Sequence, residues 1–381
     1  MKKVCVVIGT RPEAIKMAPV ILALRAKTDV FDVMICSTGQ HTTMLDGALS
    51  AFDLKSDVEL GVMKPGQSLA ELTSRLLLAL DAHFKEIQPD LVLVHGDTTS
   101  AMAGALAAFY RQIEVGHVEA GLRTGNLFSP FPEEYNRRSV AIATDHHFAP
   151  TPAARTNLER EGVAPDSIIV TGNTVIDALL LTIRTLESRP EEVAQLRARL
   201  LPQIGFDIEV QPFVLITAHR RENFGAGLDN ICFSIHELAK ANPNLHFIYP
   251  VHLNPKVKDV VEHKLADVAN VVLTPPQDYK DFAWLLRHCL LVLTDSGGIQ
   301  EEAPALGKPV LVMRDTSERP EAIEAGTARL VTTDPLRVIR ETQTLISDAA
   351  SFEAMARAVN PFGDGHAAKH IATYLKGVVS S

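Results

Sequence analysis

The sequence is poor in aromatic residues and in cysteine, and it has no long hydrophobic run. One tryptophan and four cysteines occur among 381 residues, and aromatic residues make up 6%. The longest apolar runs reach about half of a membrane span, so we expect no transmembrane helix. The cysteines are scattered and no two form a C-x-x-C pair. Their spacing argues against a disulfide framework and a cysteine zinc site, and it fits the reduced cytoplasm.

An excess of positive charge is also missing. The 37 Lys and Arg residues are outnumbered by 46 Asp and Glu residues, which gives a formal charge of −9. Nucleic acid is therefore not expected as the main partner, because phosphate contact favours a basic surface. The apolar run after the first lysines, Val4 to Ile8, is too short for the core of a signal peptide and is typical of a buried strand.

Short β-branched runs alternate with longer amphipathic stretches in the first half of the chain. Helices are predicted at 13–27, 68–87, 99–110, 133–144 and 152–162, and strands at Val4–Ile8, Asp32–Cys36, Leu91–Val94, His146–Ala149 and Ile168–Val170. Strands that are apolar along their whole length, alternating with helices, indicate a parallel sheet with both faces covered.

A second series of the same kind follows a charged, helical stretch from about Ser188 to Pro212. Its predicted strands are Phe213–Thr217, Leu245–Pro250, Asn270–Leu273, Leu290–Leu293 and Pro309–Met313. We therefore expect an α/β protein with two Rossmann-like domains, 1–172 and 173–365, and a cleft between them that binds ligand at strand ends. The last segment, 366–376, is amphipathic and could pack back across either half.

Polar residues recur directly after the predicted strands of the first domain. Thr10 and Glu13 fit a capping box, and free N–H groups there would attract an anion, helped by Arg11 and Lys16. The alternative is a plain capped helix with solvated charges.

Three carboxylates follow later strands or loops. Asp97 either acts chemically or caps the next helix. Glu119 lies between apolar neighbours, so burial would raise its pKa unless it is paired; its structural alternative is an ion pair with Arg123. Glu133 follows two prolines and also suits the first turn of a helix.

The second domain shows a comparable pattern. His219 follows a buried strand, and a satisfied structural histidine is the alternative to a functional one. Ser296, Gly297 and Gly298 open a helix after a strand, which suits phosphate binding. Glu302 in that helix would suit ribose hydroxyls. The charged tract from Met313 to Glu321 is either functional or a solvated loop.

Several familiar motifs are missing from the sequence. It contains no H-E-x-x-H, and His219-x-x-Glu222 lacks a third ligand, so no metal site is predicted. It contains no G-x-S-x-G, which disfavours an α/β-hydrolase. No G-x-G-x-x-G follows the first strand, which disfavours a nicotinamide or flavin cofactor.

The strand-end motifs as a set are similar to those of one family. They are Gly9-Thr10-Arg11-Pro12-Glu13-Ala14-Ile15-Lys16, Val94-His95-Gly96-Asp97-Thr98-Thr99, Gly116 to Thr124, His219-Arg220-Arg221-Glu222-Asn223, Leu293 to Glu302, Arg314 to Glu321 and Asn360 to Gly365. Over residues 4 to about 366 the chain resembles the non-hydrolysing bacterial UDP-N-acetylglucosamine 2-epimerases.

This resemblance implies a GT-B-like fold in which a C-terminal helix, 366–381, returns to the first domain. It also implies a homodimer that interconverts UDP-GlcNAc and UDP-ManNAc without a cofactor, supplying ManNAc units for cell-surface polysaccharide. It implies Asp97, Glu119, Glu133 and His219 as catalytic residues. The substrate-binding residues that it implies are Arg11, Lys16, Asp97, Glu119, His219, Gln277 and Phe282 (uracil), Ser296, Gly297 and Gly298 (diphosphate), Glu302 (ribose) and Arg319.

Family members can bind UDP-GlcNAc at a second, activating site. Gln40, His41 and His252 match part of that motif, whereas Thr43 stands where some relatives carry Gln and Gly66 where some carry Arg. The rival functions are a GT-B glycosyltransferase, a hydrolysing epimerase and a catalytically silent UDP-sugar sensor. Retention of all three carboxylates argues against the sensor, because nucleotide binding does not need them.

Overall fold

The computed structural model describes residues 1–39, 42–64 and 66–379, with no side-chain description at 42–44 and 379. The contacts divide the chain into two compact units. The first consists of Met1–Leu181 with Phe362–Ser381, and the second is Thr182–Pro361. Each unit contains one sheet. Gln40 and His41 lie outside the described residues.

The first unit is built on a parallel seven-stranded sheet in the order β3-β2-β1-β4-β5-β6-β7. Its strands are β1 (Lys2–Ile8), β2 (Phe31–Ser37), β3 (Val58–Glu59), β4 (Leu91–His95), β5 (Glu114–Val118), β6 (His146–Ala149) and β7 (Ile168–Val170). The central strands are fully buried because helices cover both faces of the sheet.

The helices of this unit alternate with the strands. They are α1 (Arg11–Arg25), α2 (Thr42–Ser50), α3 (Leu69–Ile87), α4 (Thr99–Tyr110), α5 (Glu133–Ile142) and α6 (Pro152–Arg160). Helix α7 (Thr174–Glu187) contains the boundary between the two units.

The second unit has a parallel six-stranded sheet in the order β10-β9-β8-β11-β12-β13. Its strands are β8 (Phe213–Thr217), β9 (His246–Pro250), β10 (Val271–Thr274), β11 (Val292–Thr294), β12 (Val310–Val312) and β13 (Ala328–Leu330). Its helices are α8 (Pro190–Ile204), α9 (Ala226–Ala241), α10 (Pro255–Leu265), α11 (Tyr279–His288), α12 (Ile299–Ala305), α13 (Pro320–Glu324), α14 (Pro335–Ser347) and α15 (Ala349–Ala356).

The last helix, α16 (Ala367–Val379), belongs to the first unit. The buried carboxylate of Asp177 accepts hydrogen bonds from the backbone N–H groups of Ala367 (3.2 Å) and Ala368 (2.9 Å) at its start. These bonds satisfy donors that a helix N-terminus leaves unpaired. Further along, the ring of Tyr374 packs edge-on against Phe148.

The predicted parallel α/β architecture is confirmed, and the predicted strands match observed ones within a few residues. Three strands were missed. Strand β5 contains Gly116 and His117, which interrupt its apolar run, β3 has only two residues, and β13 has only three. Within the described part of the chain, no helix has both the length and the apolar character of a membrane span.

Candidate active site

The ends of β4 and β5 form the centre of a polar site in the first unit. These strands are parallel neighbours, with His95 beside Val118, so the residues that follow them emerge at the same edge of the sheet. Glu119 follows β5, and Asp97 follows β4 after Gly96. The carboxyl edge of a parallel sheet is where ligands bind in open α/β folds.

The side chain of Glu119 is held in place from several sides. Its Oε2 atom accepts hydrogen bonds from Lys16 Nζ at 2.5 Å and Asn173 Nδ2 at 2.9 Å, and it lies 3.8 Å from His95 Nε2. Its side chain is 9% exposed and its backbone has a φ of +64°. A left-handed conformation is uncommon for a residue other than glycine, so the turn fixes an unusual direction for this carboxylate.

The predicted alternative for Glu119, an ion pair with Arg123, is wrong. Arg123 instead pairs with Glu161, with Nη2 and Oε2 2.8 Å apart. The ion-pair partner of Glu119 is Lys16, which reaches it from helix α1.

Asp97 lies beside Glu119 and shares its electrostatic environment. Burial raises the pKa of Asp97, the charge of Arg137 lowers it, and the charges of Glu119 and Glu133 raise it again. Arg137 Nη2 is 2.7 Å from Asp97 Oδ2. The proposed capping role of Asp97 is wrong, because Thr98 is the N-cap residue of α4 and accepts from Ala101 N at 3.0 Å.

The adjacent acids Glu133 and Glu134 have different surroundings. Glu133 begins α5, and its Oε2 atom is buried without a hydrogen-bond partner in the described part of the chain. Glu134 is fully buried and accepts from the backbone N–H groups of Thr124 (3.0 Å) and Gly125 (3.2 Å). Glu134 thereby holds the preceding loop, whereas this oxygen of Glu133 makes no such bond.

The turn after β1 keeps its predicted cap and adds a buried acid. Thr10 is the N-cap of α1, and Glu13 accepts from Gly9 N (3.0 Å), Thr10 Oγ1 (2.8 Å) and Thr98 Oγ1 (2.7 Å). Burial raises the pKa of Glu13 to about 7. Arg11 is half-buried at the start of α1, and no ion pair of it is found among the described residues.

Two buried histidines support the same strand ends. Burial lowers the pKa of His95 to about 4 and that of His117 to about 3. The Nε2 atom of His117 is 2.7 Å from Gly96 O, so this nitrogen carries the proton and donates to the carbonyl. The neutral ring thereby fixes the turn that leads to Asp97.

These depressed pKa values predict acid sensitivity. Between pH 6.5 and about 3 the unfolded chain binds a proton at His117 and the folded one does not, so stability falls as the pH drops through this range. Glu13, with its raised pKa, acts in the opposite direction between about pH 7 and 4.5. The variant His117→Gln keeps a donor for Gly96 O but does not titrate. When the pH falls from 6.5 to 5, we expect its free energy of unfolding to rise by about 1–2 kcal/mol relative to that of the natural protein. Urea denaturation at pH 6.5 and at pH 5 measures this difference. Equal shifts of the two proteins' midpoints between these pH values would contradict the prediction.

In the second unit, Asp295 organises the residues that follow β8. It is fully buried after β11, and its Oδ2 accepts from His219 N (2.8 Å), Arg220 N (2.7 Å) and Asn223 Nδ2 (3.1 Å). The His219 side chain is 41% exposed and stacks on His252, with ring centroids 5.2 Å apart. Whether this histidine is functional or structural stays a prediction. Burial lowers the pKa of His219, against the opposing charge of Asp295.

The turn Ser296-Gly297-Gly298 lies beside several charged side chains. A Cβ atom on Gly297 would lie 3.6 Å from Glu318 Oε2 and 3.8 Å from Arg220 Nη2. Arg319 pairs with the buried Glu301 through its Nε atom. The Oε2 atom of Glu302 faces Gly298, 3.8 Å from where a Cβ would lie.

The tract that contains Arg314 is not a solvated loop. The Arg314 side chain is 5% exposed and pairs with Glu222 (2.5 Å) and Glu318 (3.3 Å). Elsewhere in the second unit, the Nε2 atom of Gln277 donates a hydrogen bond to Pro275 O at 2.7 Å, and Phe282 is half-buried on α11.

Comparison with known proteins identifies the family. A family model described as UDP-N-acetylglucosamine 2-epimerase matches residues 22–376. The UDP-N-acetylglucosamine 2-epimerase of Escherichia coli K12 is 51% identical over 374 residues, 98% of each chain. The chain belongs to the UDP-N-acetylglucosamine 2-epimerase family.

Solved structures of this epimerase family have the same fold. The UDP-GlcNAc 2-epimerase from Neisseria meningitidis, bound to UDP-GlcNAc, has a TM-score of 0.89 and 48% identity, covering 98% of this chain and 99% of its own. The UDP co-structure of MnaA from S. aureus has a TM-score of 0.86 and 40% identity, covering 100% and 97%. The predicted GT-B-like α/β class is thereby confirmed.

In this member of the epimerase family, the predicted residues are divided between the two units. The first unit brings together Lys16, Asp97, Glu119 and Glu133, with Arg11 at the start of α1. The second unit contains His219, Ser296, Gly297, Gly298, Glu302 and Arg319, together with Gln277 and Phe282. Their roles stay predictions.

Sequence reasoning missed the residues that hold this epimerase site together. Asn173 and Arg137 bind Glu119 and Asp97 from distant parts of the chain, and Asp295 holds the turn at His219. Asn173 follows β7, so the strand-end rule could have found it. Arg137 lies four residues after Glu133 on α5, but its partner is set by tertiary structure.

Proposed function

We propose that this protein interconverts UDP-N-acetylglucosamine and UDP-N-acetylmannosamine by epimerisation at C2, without hydrolysing either sugar nucleotide. The observation that carries the proposal is the group of three carboxylates in the first unit. They lie close enough that the negative charges of Glu119 and Glu133 raise the pKa of Asp97. Acid–base chemistry on two faces of a sugar needs more than one such group, whereas binding does not. Membership of the epimerase family supports the same activity.

The chemistry explains why several acids are useful. The C2–H bond of an acetamido sugar is adjacent to no carbonyl, so direct deprotonation is unfavourable. In the proposed route the C1–O bond breaks, and its electron pair leaves with UDP. C1 becomes oxocarbenium-like and acidifies the C2 proton, which a carboxylate removes to give 2-acetamidoglucal. Protonation of C2 on the other face and addition of UDP to C1 complete the epimerisation.

The first unit supplies the proposed acid–base groups. Glu119 is held by Lys16 and Asn173, so its direction is set before substrate binds. Asp97 has a pKa raised by burial and is thereby suited to carry a proton. Glu133 has a buried oxygen without a hydrogen-bond partner in the described residues. These three carboxyls share the two proton-transfer roles.

The second unit supplies the proposed nucleotide contacts. Gln277 and Phe282 hold the uracil, and Glu302 holds the ribose. The backbone of Ser296, Gly297 and Gly298 receives the diphosphate. Support for this assignment comes from the Arg220 guanidinium beside Gly297 and from the resemblance of the whole turn to the family motif.

His219, Arg319, Arg11 and Lys16 complete the proposed substrate contacts. Each is either cationic or able to donate a hydrogen bond, so each can stabilise negative charge as the diphosphate departs. His219 is exposed at a turn fixed by Asp295, which supports a role in contacting ligand.

Isotope exchange tests the proposed reaction. Incubation of the protein with UDP-GlcNAc alone in D2O should give UDP-ManNAc labelled with deuterium at C2, because the carboxylate exchanges its proton with solvent. The C2 signal is followed by NMR. Full retention of the original hydrogen would contradict elimination and favour internal transfer. Release of free ManNAc with UDP would indicate a hydrolysing epimerase, and no reaction without an acceptor would favour a glycosyltransferase.

We also propose a homodimer that supplies ManNAc units for cell-surface polysaccharide, as the family resemblance implies. Exposed apolar side chains at the ends of α4 and α5, namely Phe109, Tyr110 and Ile142, are consistent with a self-association surface. Light scattering should give twice the mass of one chain. A monomer at working concentrations would contradict this part of the proposal.

A further inference from the structure

A cluster of two cysteines and one histidine lies in the core of the first unit, away from the carboxylate site. Cys5 is on β1, Cys36 on β2 and His83 on α3. One ligand atom from each lies within 4.8 Å of the others. Both cysteines are fully buried, and His83 is 7% exposed. Both cysteines are free thiols.

The topology of the sheet creates this cluster. Strands β1 and β2 are parallel neighbours, with Cys36 beside Val7, so Cys5 and Cys36 lie diagonally across the strand pair. The buried face of α3, which includes Leu76, Leu80 and His83, covers them. The three residues are distant in sequence, and only the packing of α3 on these strands brings their donor atoms together.

The histidine has an unmet bonding capacity. The Nε2 atom of His83 is buried and has no hydrogen-bond partner in the described part of the chain. A buried polar atom without a partner typically costs about 1–3 kcal/mol, and such atoms in native proteins call for an explanation, such as a missing ion. A metal ion bound beside Cys5 and Cys36 would satisfy this nitrogen.

We propose that Cys5, Cys36 and His83 form a binding site for one soft divalent metal ion of the zinc type. Thiolate and imidazole are the ligands that such ions prefer. Both thiols release their protons to solvent on binding. Two thiolates, a neutral imidazole and a divalent cation then sum to zero charge, which suits an apolar core where a net charge would be costly.

The geometry is compatible with this ion. Zinc–sulfur bonds of about 2.3 Å place two sulfur ligands about 3.8 Å apart in a tetrahedral site. The donor atoms of the cluster are within 4.8 Å of one another, so small side-chain movements suffice. Three protein ligands leave one coordination position open.

This site is independent of the proposed function and supplies nothing to the epimerisation. Its expected effect is on stability, because an ion bound only by the folded chain stabilises it. The ion would link β1, β2 and α3, which are separated in sequence, and should raise the thermal midpoint of the first unit.

Cadmium is a suitable probe because its thiolate complexes absorb in the ultraviolet. Titration of the reduced, metal-free, full-length protein with Cd(II) should produce a sulfur-to-metal charge-transfer band that saturates at one ion per chain. Zn(II) should displace the cadmium and remove the band. Binding of either metal ion should also raise the melting temperature of the protein.

Matched variants locate the site. Cys36→Ser should lose saturable binding and the rise in melting temperature, and His83→Gln, which keeps both thiols, should lose them as well. Cys289→Ser is the control, because Cys289 is also a buried free thiol but lies in the second unit. It should bind cadmium like the natural protein. If Cys36→Ser fails to fold, His83→Gln decides the outcome. The proposal is overturned if the natural protein shows no saturable band at one ion per chain, or if the variant and control behave alike.

Discussion

Replacing Glu119 with glutamine is expected to lower the turnover of UDP-N-acetylglucosamine by about 10²–10⁴-fold, the usual contribution of an acid–base group. Glutamine keeps the size of the side chain and one carbonyl acceptor for Lys16 or Asn173, but it cannot take up or release a proton. Glu119 is positioned by both of these residues and by an unusual backbone angle, so few other groups could replace it. UDP affinity should change little, because the nucleotide contacts are proposed for the second unit.

The same strand provides the control for this experiment. Glu114→Gln makes the same substitution at the other end of β5, where Glu114 also pairs with a lysine, Lys2, at 2.6 Å. It should leave turnover nearly unchanged. Near-normal turnover of Glu119→Gln would show that Glu119 only pairs with Lys16, and Asp97 or Glu133 would then carry its role. A thermal melt of each variant separates loss of chemistry from loss of folding.

Replacing Glu134 with alanine is expected to destabilise the first unit by about 3–5 kcal/mol, the usual cost of breaking a buried ion pair. Glu134 is fully buried, and its removal leaves the Thr124 and Gly125 N–H groups unpaired. It also removes a partner of Arg137, 3.3 Å away, which in turn holds Asp97. Activity should therefore fall together with stability. Urea denaturation, followed by circular dichroism, measures the effect.

The control for Glu134 is a carboxylate at the surface of the same unit. Glu159→Ala removes the partner of Arg155, and both of these side chains are 38% exposed. It should cost no more than about 1 kcal/mol. Equal shifts in the urea midpoint for both variants would contradict the view that burial makes Glu134 structurally important.

Local sequence patterns were sufficient for most of the architecture. The strands were found because all-apolar runs such as Leu91–Val94 need burial on both faces, a requirement that does not depend on long-range contacts. Helix α4 was placed at 99–110, as observed. Strand β5 was missed because Gly116 and His117 fit a strand only when β4 and β6 flank it and their backbones pair.

The candidate site was predictable as a position more than as a set of contacts. Asp97 and Glu119 were found because strand ends of a parallel sheet converge. The ion-pair partner of Glu119 was not found from the sequence, because Arg123 is near in sequence whereas Lys16 is 103 residues away and near only in the fold. Capping of α4 was one of the two alternatives for Asp97, but Thr98 makes that bond in the structure.

By itself, the sequence determined the alternation of elements, the parallel sheets and the strand-end residues, because periodicity and motif order are local properties of the chain. Tertiary structure alone decided which charged groups form ion pairs and which cysteine side chains lie close together. The spacing of Cys5 and Cys36 argued against a cysteine metal site, yet the pairing of β1 with β2 and the packing of α3 place them beside His83. The physical reason is that pairing depends on which strands become neighbours, and sheet order is fixed by packing of the whole unit rather than by any one segment.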